Sequence, residues 1–276
     1  MKIIILMEDT CGSPQCEFEH GLSVYIETAA HKILMDAGAG EKTLSNARKL
    51  GVDLTGVDTV ILSHGHYDHS GGLSGFREIN RDAVIYMQES ALADYYHGDR
   101  YIGIDKGIGQ MPNVRLLSGD YRIDGELSLF TGISAKRLCP RSNIGLTMRV
   151  NGVERQDTFV HEQCLVVEGE RNMLFSGCAH NGILNILDRY GELYGGMPAL
   201  VVSGFHMMKK SPYTEEEKEV IRRTAEELRR FVQEGAVFYT GHCTGQEALE
   251  LMRPIMGSGL VQMHCGMEIM EQTGRQ

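Results

Sequence analysis

The feature that most constrains this chain is the run His64-Gly65-His66-Tyr67-Asp68-His69, which places three histidines and an aspartate within six residues. The apolar stretch Thr59-Val60-Ile61-Leu62 leads into it, and Ser70-Gly71-Gly72-Leu73 follows. An apolar stretch that stops abruptly at four metal-type ligands reads as the C-terminal end of a buried strand opening into a loop. Alternate side chains of an extended segment share a face, so His64 and His66 can address one metal ion. Asp68 and His69 lie beyond the turn and can reach a second. Imidazole and carboxylate in this mixture suit zinc, iron or manganese. Packing alone seldom gathers such residues behind a buried strand, which argues against a merely solvated loop.

The chain has 276 residues, room for one large domain or two small ones, and an ordinary apolar fraction of 42%. No linker or composition break divides it, so residues 1–276 are expected to form a single domain. The net charge of −10 argues against a nucleic-acid partner. It leaves room for a small anionic substrate, because a metal centre sets its own local field. The opening Met1–Met7 run is short for a secretory segment and ends in Glu8-Asp9. No stretch approaches the length of a membrane span. Seven cysteines, an odd number without CxxC pairs, read as reduced thiols. The expectation is a cytoplasmic protein with a small-molecule substrate and neither nucleic acid nor membrane as partner; homo-oligomerisation stays open.

Hydropathy patterning predicts strands over 2–8, 22–27, 32–36 and 59–62, then 83–87. A second β-rich block covers 127–131, 146–150, 164–168 and 172–176. Helices are expected over 41–50, 73–79, 90–97, 183–190 and 246–256. Residues 98–125 read as irregular. The clearest helix is 214–234: Thr214 and Glu217 fit a capping box, and Ile221, Ala225, Leu228 and Val232 recur at helical spacing. Buried strands over 199–203 and 236–240 and a closing strand over 260–265 complete the pattern. Two β-rich blocks, each followed by β/α alternation, predict an α/β fold with two sheets covered by helices.

Several strand ends carry histidine. Phe175-Ser176 runs into Gly177-Cys178-Ala179-His180, Val202-Ser203 into Gly204-Phe205-His206, and Tyr239-Thr240 into Gly241-His242-Cys243-Thr244. Catalytic groups commonly cluster on loops at one edge of a sheet. His180 and His242 are therefore candidate ligands. Cys243 reads as a buried small hydrophobe. His161-Glu162-Gln163 is placed at the surface as readily as at a site, Lys209 and Lys210 read as a solvated pair, and His20 is a weaker candidate. His31, His97 and His264 are assigned to structure or surface.

These motifs resemble the metallo-β-lactamase superfamily, through His64-x-His66-x-Asp68-His69 with Asp36-Ala37-Gly38 upstream. Glu19-His20-Gly21-Leu22-Ser23, Gly177-Cys178-Ala179-His180, Gly204-Phe205-His206 and His242-Cys243-Thr244-Gly245 resemble one branch of it. That branch comprises metal-dependent hydrolases related to the methanopterin-pathway enzyme that makes a dihydropterin–ribofuranosylaminobenzene phosphate. The resemblance covers nearly the whole chain and implies a four-layer αβ/βα sandwich. It implies two divalent metal ions, zinc first, with manganese or iron open. His64 and His66 would bind the first ion; Asp68, His69 and His242 would bind the second. Cys178 stands where the superfamily usually has a bridging aspartate, so it is a candidate ligand or bridge, and His180 is assigned to the first ion. Asp36 would orient a ligand or loop through hydrogen bonds. His206 would contact substrate, donate a proton or reach a metal.

The implied activity is hydrolysis by a hydroxide held between two metals, on a phosphoester- or pterin-like anion, with Asp68 and His206 as catalytic residues. A pterin-pathway transferase or synthase is the alternative. A di-iron redox protein is disfavoured because His66 stands where such members have a carboxylate. A catalytically silent ligand-binding module is disfavoured because His64, His66, Asp68 and His69 are all present.

Overall fold

A computed structural model describes residues 1–270. The chain forms two compact units. The first comprises Met1–Asp94, Ile102–Ser118 and the segment from Met263; the second comprises Tyr95–Tyr101 and Gly119–Gln262.

The first unit carries a seven-stranded sheet in the order Glu268–Met270, Lys2–Met7, Ser23–Glu27, Lys32–Met35, Thr59–Ile61, Val84–Gln88 and Val114–Leu117. The first four strands pair antiparallel and the remaining pairings are parallel. Parallel neighbours need crossovers, and helices Lys42–Lys49 and Leu73–Ile79 lie within two of them. Their Leu44, Ala47, Leu73 and Phe76 join Leu6, Leu34, Val60 and Ile85 in one apolar cluster. Because the parallel strands are buried, Ile33-Leu34-Met35 and Val60-Ile61-Leu62 read as continuous apolar runs rather than alternating ones.

The second unit repeats the plan. Its seven-stranded sheet runs Leu260–Gln262, Val237–Thr240, Leu200–Val202, Met173–Phe175, Cys164–Val167, Leu127–Phe130 and Tyr121–Arg122. Here the first four strands are parallel and the rest antiparallel. Helices Ile183–Tyr194, Glu215–Gln233 and Gln246–Met256 form the crossovers. Ile221, Ala225 and Leu228 lie one helical turn or so apart and pack with Leu187, Phe238 and Met252. Burying each such side chain contributes roughly 1.5–3 kcal/mol. Thr214 caps Glu215–Gln233: its hydroxyl accepts the Glu217 N–H, and the Glu217 carboxylate accepts the Thr214 N–H.

A four-stranded sheet, in the order Val153–Gln156, Leu146–Val150, Asp94–His97 and Arg100–Tyr101, completes the strands among the described residues. It corrects the helix expected over 90–97. A 3-10 turn at Glu89–Leu92 gives way to strand Asp94–His97, which turns back through Gly98-Asp99 so that His97 faces Arg100. Gly98 supplies the left-handed φ of 57° that this two-residue turn needs. The segment 98–125 is not wholly irregular either: Val114–Leu117 is an edge strand beside Val84–Gln88. Pairing, not local pattern, makes strands this short.

The Glu217 carboxyl is pushed down to about 2 by hydrogen bonds from Lys209 and from the Thr214 backbone. Its contribution to stability should be complete above the ordinary carboxylate pKa and be lost as pH falls from there to about 2. The stability difference between wild type and Glu217→Gln should shrink over the same interval in urea titrations. At neutral pH, Leu228→Ala should cost about 2–5 kcal/mol and Thr214→Ala about 1 kcal/mol.

Candidate metal centre

In the first unit the ligand run begins where Thr59–Ile61 ends. Register matters here: Met35 lies opposite Ile61 and the Asp36 N–H bonds the Ile61 carbonyl, so the Asp36 carboxylate reaches Ser63, two residues past Ile61. Asp36 is fully buried. Its Oδ1 accepts the Ser63 N–H at 2.7 Å, and its Oδ2 accepts the Ser63 hydroxyl at 2.7 Å and pairs with His69 Nδ1 at 2.6 Å. Ser63 Oγ also lies 2.8 Å from His64 Nδ1. One carboxylate thereby fixes the strand end and the His69 ring, and reaches the His64 ring through Ser63. Engaging Nδ1 in this way makes Nε2 the ligand nitrogen of His64 and His69.

The rings sit close together. The His64 centroid is 4.6 Å from that of His66 and 4.1 Å from that of His69. Asp68 Oδ2 lies 3.7 Å from His69 Nε2 and 3.4 Å from His20 Nε2. His20 Nδ1 in turn meets Asp9 Oδ2 at 2.8 Å. His20 thus links Asp9 to Asp68, and nothing in the spacing of the sequence signals Asp9. Gly71 and Gly72 let this loop pack on the Asp36 loop: a Cβ at either would lie within about 2.2 Å of an Ala39 or Ala37 carbonyl oxygen.

In the second unit, Phe175, Val202 and Tyr239 stand level across three parallel strands. Beyond them come Cys178, His206, His242 and Cys243. Cys178, His206 and Cys243 each offer a ligand atom, and these atoms lie within 4.8 Å of one another. Cys243 is buried, as its apolar reading requires, but its setting is polar. Its sulfur accepts the His206 N–H at 3.3 Å. Burial alone would raise its pKa, yet a hydrogen bond with the Cys178 thiol and the imidazoles of His242 and His206 outweigh that and hold it well below the ordinary thiol value.

His180 is anchored from three sides. Glu162 Oε1 accepts its N–H at 2.6 Å, Asn143 Oδ1 lies 3.1 Å from Nδ1, and Phe159 stacks on its ring at 4.5 Å. The His180 and His206 ring centroids are 4.1 Å apart. Glu162 is fully buried; desolvation raises its pKa even though it also accepts the Asn181 N–H groups. Surface placement of His161-Glu162-Gln163 is therefore corrected: all three are buried, and His161 meets Asp157 at 3.1 Å and packs tilted against the Tyr95 ring. The polar character of the triplet concealed its burial. Lys209 is not a solvated cation, since its amine bonds both Glu217 oxygens. His31 pairs with Asp58 at the surface.

Asp36, Ala179, His206 and His242 all have positive φ, between 47° and 58°. Non-glycine residues in that region cost of order 1–3 kcal/mol each and tend to cluster at functional sites. The donor set fits a divalent metal ion. Of the imidazoles beyond the second unit's strand ends, His206 has a buried Nδ1 with no hydrogen-bond partner.

The sequence model of the metallo-beta-lactamase superfamily matches residues 17–228, well over half of the chain. The chain belongs to the metallo-β-lactamase superfamily. The α/β fold of that superfamily is the fold of this chain. A 7,8-dihydropterin-6-methyl-4-(beta-D-ribofuranosyl)-aminobenzene-5'-phosphate synthase of Methanocaldococcus jannaschii is 28% identical over 292 aligned positions, covering 96% of this chain and 95% of its own. An uncharacterized protein of the same organism is 29% identical over 213 residues, covering 75% and 80%. A crystal structure of a metal-dependent hydrolase of the beta-lactamase superfamily shares 29% identity and superposes with a TM-score of 0.82, covering 98% of both chains. The superfamily membership and branch read from the motifs both hold.

Asp36→Ala should weaken metal binding about 10–100-fold in chelator competition, because His69 loses its partner. Gly204→Ala should cost about 1–3 kcal/mol in urea unfolding, since its Cβ would fall 2.4 Å from Cys243 Sγ.

Proposed function

We propose that this protein is a metal-dependent hydrolase that uses two divalent ions, zinc foremost, on a small phosphoester- or pterin-like anion. The observation that carries this reading is the buried packing of His64, His66, Asp68 and His69 on the Asp36–Ser63 knot. Those four residues are the proposed metal ligands of the first unit. Cys178, His180 and His242 are those of the second. A bound divalent ion supplies a nucleophile from water near neutral pH and polarises the oxygen under attack.

The chain's own residues hold and orient. Asp36 keeps the His69 ring in place, and Glu162, Asn143 and Phe159 do the same for His180. His20, braced by Asp9, contacts Asp68 Oδ2 and can take or give a proton there. His206 is the proposed contact for substrate or leaving group. A second reading, a pterin-pathway synthase, is favoured by the likeness to the dihydropterin synthase over 96% of this chain.

Mass spectrometry of freshly purified protein should find about two equivalents of zinc or manganese per chain, and fewer in His66→Ala. Asp68→Ala should lose turnover of phosphoester and pterin phosphate substrates by several orders of magnitude while keeping its circular dichroism spectrum. Full activity in Asp68→Ala would overturn the assignment. Condensation of a dihydropterin with a ribofuranosylaminobenzene phosphate, without phosphoester hydrolysis, would establish the synthase reading instead.

A further inference from the structure

Three adjacent parallel strands, Met173–Phe175, Leu200–Val202 and Val237–Thr240, end at one level. Each then delivers one ligand suited to a soft or borderline metal: Cys178, His206 and Cys243. Their ligand atoms lie within 4.8 Å of one another. In a tetrahedral zinc site, bonds of about 2.3 Å to sulfur and about 2.0–2.1 Å to nitrogen put ligand atoms roughly 3.4–3.8 Å apart. The trio therefore needs to contract by roughly 1.0–1.4 Å at most.

Two further observations point the same way. His206 Nδ1 is buried and has no hydrogen-bond partner. The Cys243 sulfur also accepts the backbone N–H of His206, which fixes it beside that residue. The loops are shaped for close approach. Only glycine fits at 204, where a Cβ would lie 2.4 Å from the Cys243 sulfur and 3.5 Å from Cys178 Cα. The Ser142 hydroxyl bonds the His206 carbonyl and holds that residue in its left-handed conformation.

We propose that Cys178, Cys243 and His206 bind a thiophilic divalent ion as a set of two sulfurs and one nitrogen, with Cys243 as a ligand outside the histidine–aspartate run. On binding, the two S–H bonds break, two metal–sulfur bonds form, and both protons leave to solvent. A pair of thiolates selects zinc or cadmium over magnesium and manganese. The proposal shares Cys178 with the functional reading above, gives His206 a metal-binding role in place of substrate contact, and needs no hydrolytic activity.

The test is dialysis of the full-length protein against Cd2+ with ultraviolet spectroscopy. Wild type should gain a thiolate-to-cadmium charge-transfer band. Cys178→Ser and Cys243→Ser should each keep about half its intensity, and the double variant none. His66→Ala should keep the band while losing any metal-dependent hydrolysis, which separates failure of this proposal from failure of the hydrolase reading. An undiminished band in Cys243→Ser, or no band in wild type, would overturn the proposal. If Cys243→Ser does not fold, cadmium NMR of the wild type decides: a resonance in the two-thiolate range supports the set, and one in the range of a single thiolate or none overturns it.

Discussion

The hydrogen-bond knot between Asp36, Ser63 and His69 is the constraint on which the first unit's site depends. It forms because two neighbouring parallel strands end in register, so the first residue beyond one meets the second residue beyond the other. A carboxylate that accepts a backbone N–H, a hydroxyl and an imidazole is costly to bury and costlier to disrupt. Once in place, it sets which nitrogen of His69 is engaged and, through Ser63, orients His64. The helices that cross between strands hold that register by burying Leu44, Phe76 and their neighbours.

The second unit reaches a similar result with different chemistry. Its parallel strands also stop level, but the residues beyond them are thiols and imidazoles rather than a carboxylate and a hydroxyl. His180 takes its support from Glu162, Asn143 and Phe159, which come from well outside its own strand end. Left-handed backbone at Ala179, His206 and His242 turns the chain sharply just where the side chains are needed. That strain is sustained by an apolar cluster built from Phe238, Ile221, Leu228 and their contacts, which leaves the strand ends little freedom to relax.

Much of this was legible in the sequence because it is local. Buried parallel strands announce themselves as apolar runs, and the helix after Thr214 carries its cap and its stripe within a few turns. The strands Asp94–His97, Val114–Leu117, Val153–Gln156 and Glu268–Met270 were not legible. They are short, and only their partners make them strands. The buried state of His161 and Glu162 was equally hidden, since a polar triplet gives no periodic signal, and the Tyr95 ring beside His161 and the His180 and Asn181 donors to Glu162 lie elsewhere in the chain.

The sequence by itself determined the donor run His64-x-His66-x-Asp68-His69, the superfamily it belongs to and the alternation of strands and helices. These follow from residue type and spacing, which no folding step can alter. Tertiary structure alone decided that Asp36 meets His69, that His20 links Asp9 to Asp68, and that Cys243 lies with Cys178 and His206 rather than in an apolar pocket. Those contacts depend on strand register and on crossovers that join residues tens of positions apart, and side-chain pattern does not encode them locally.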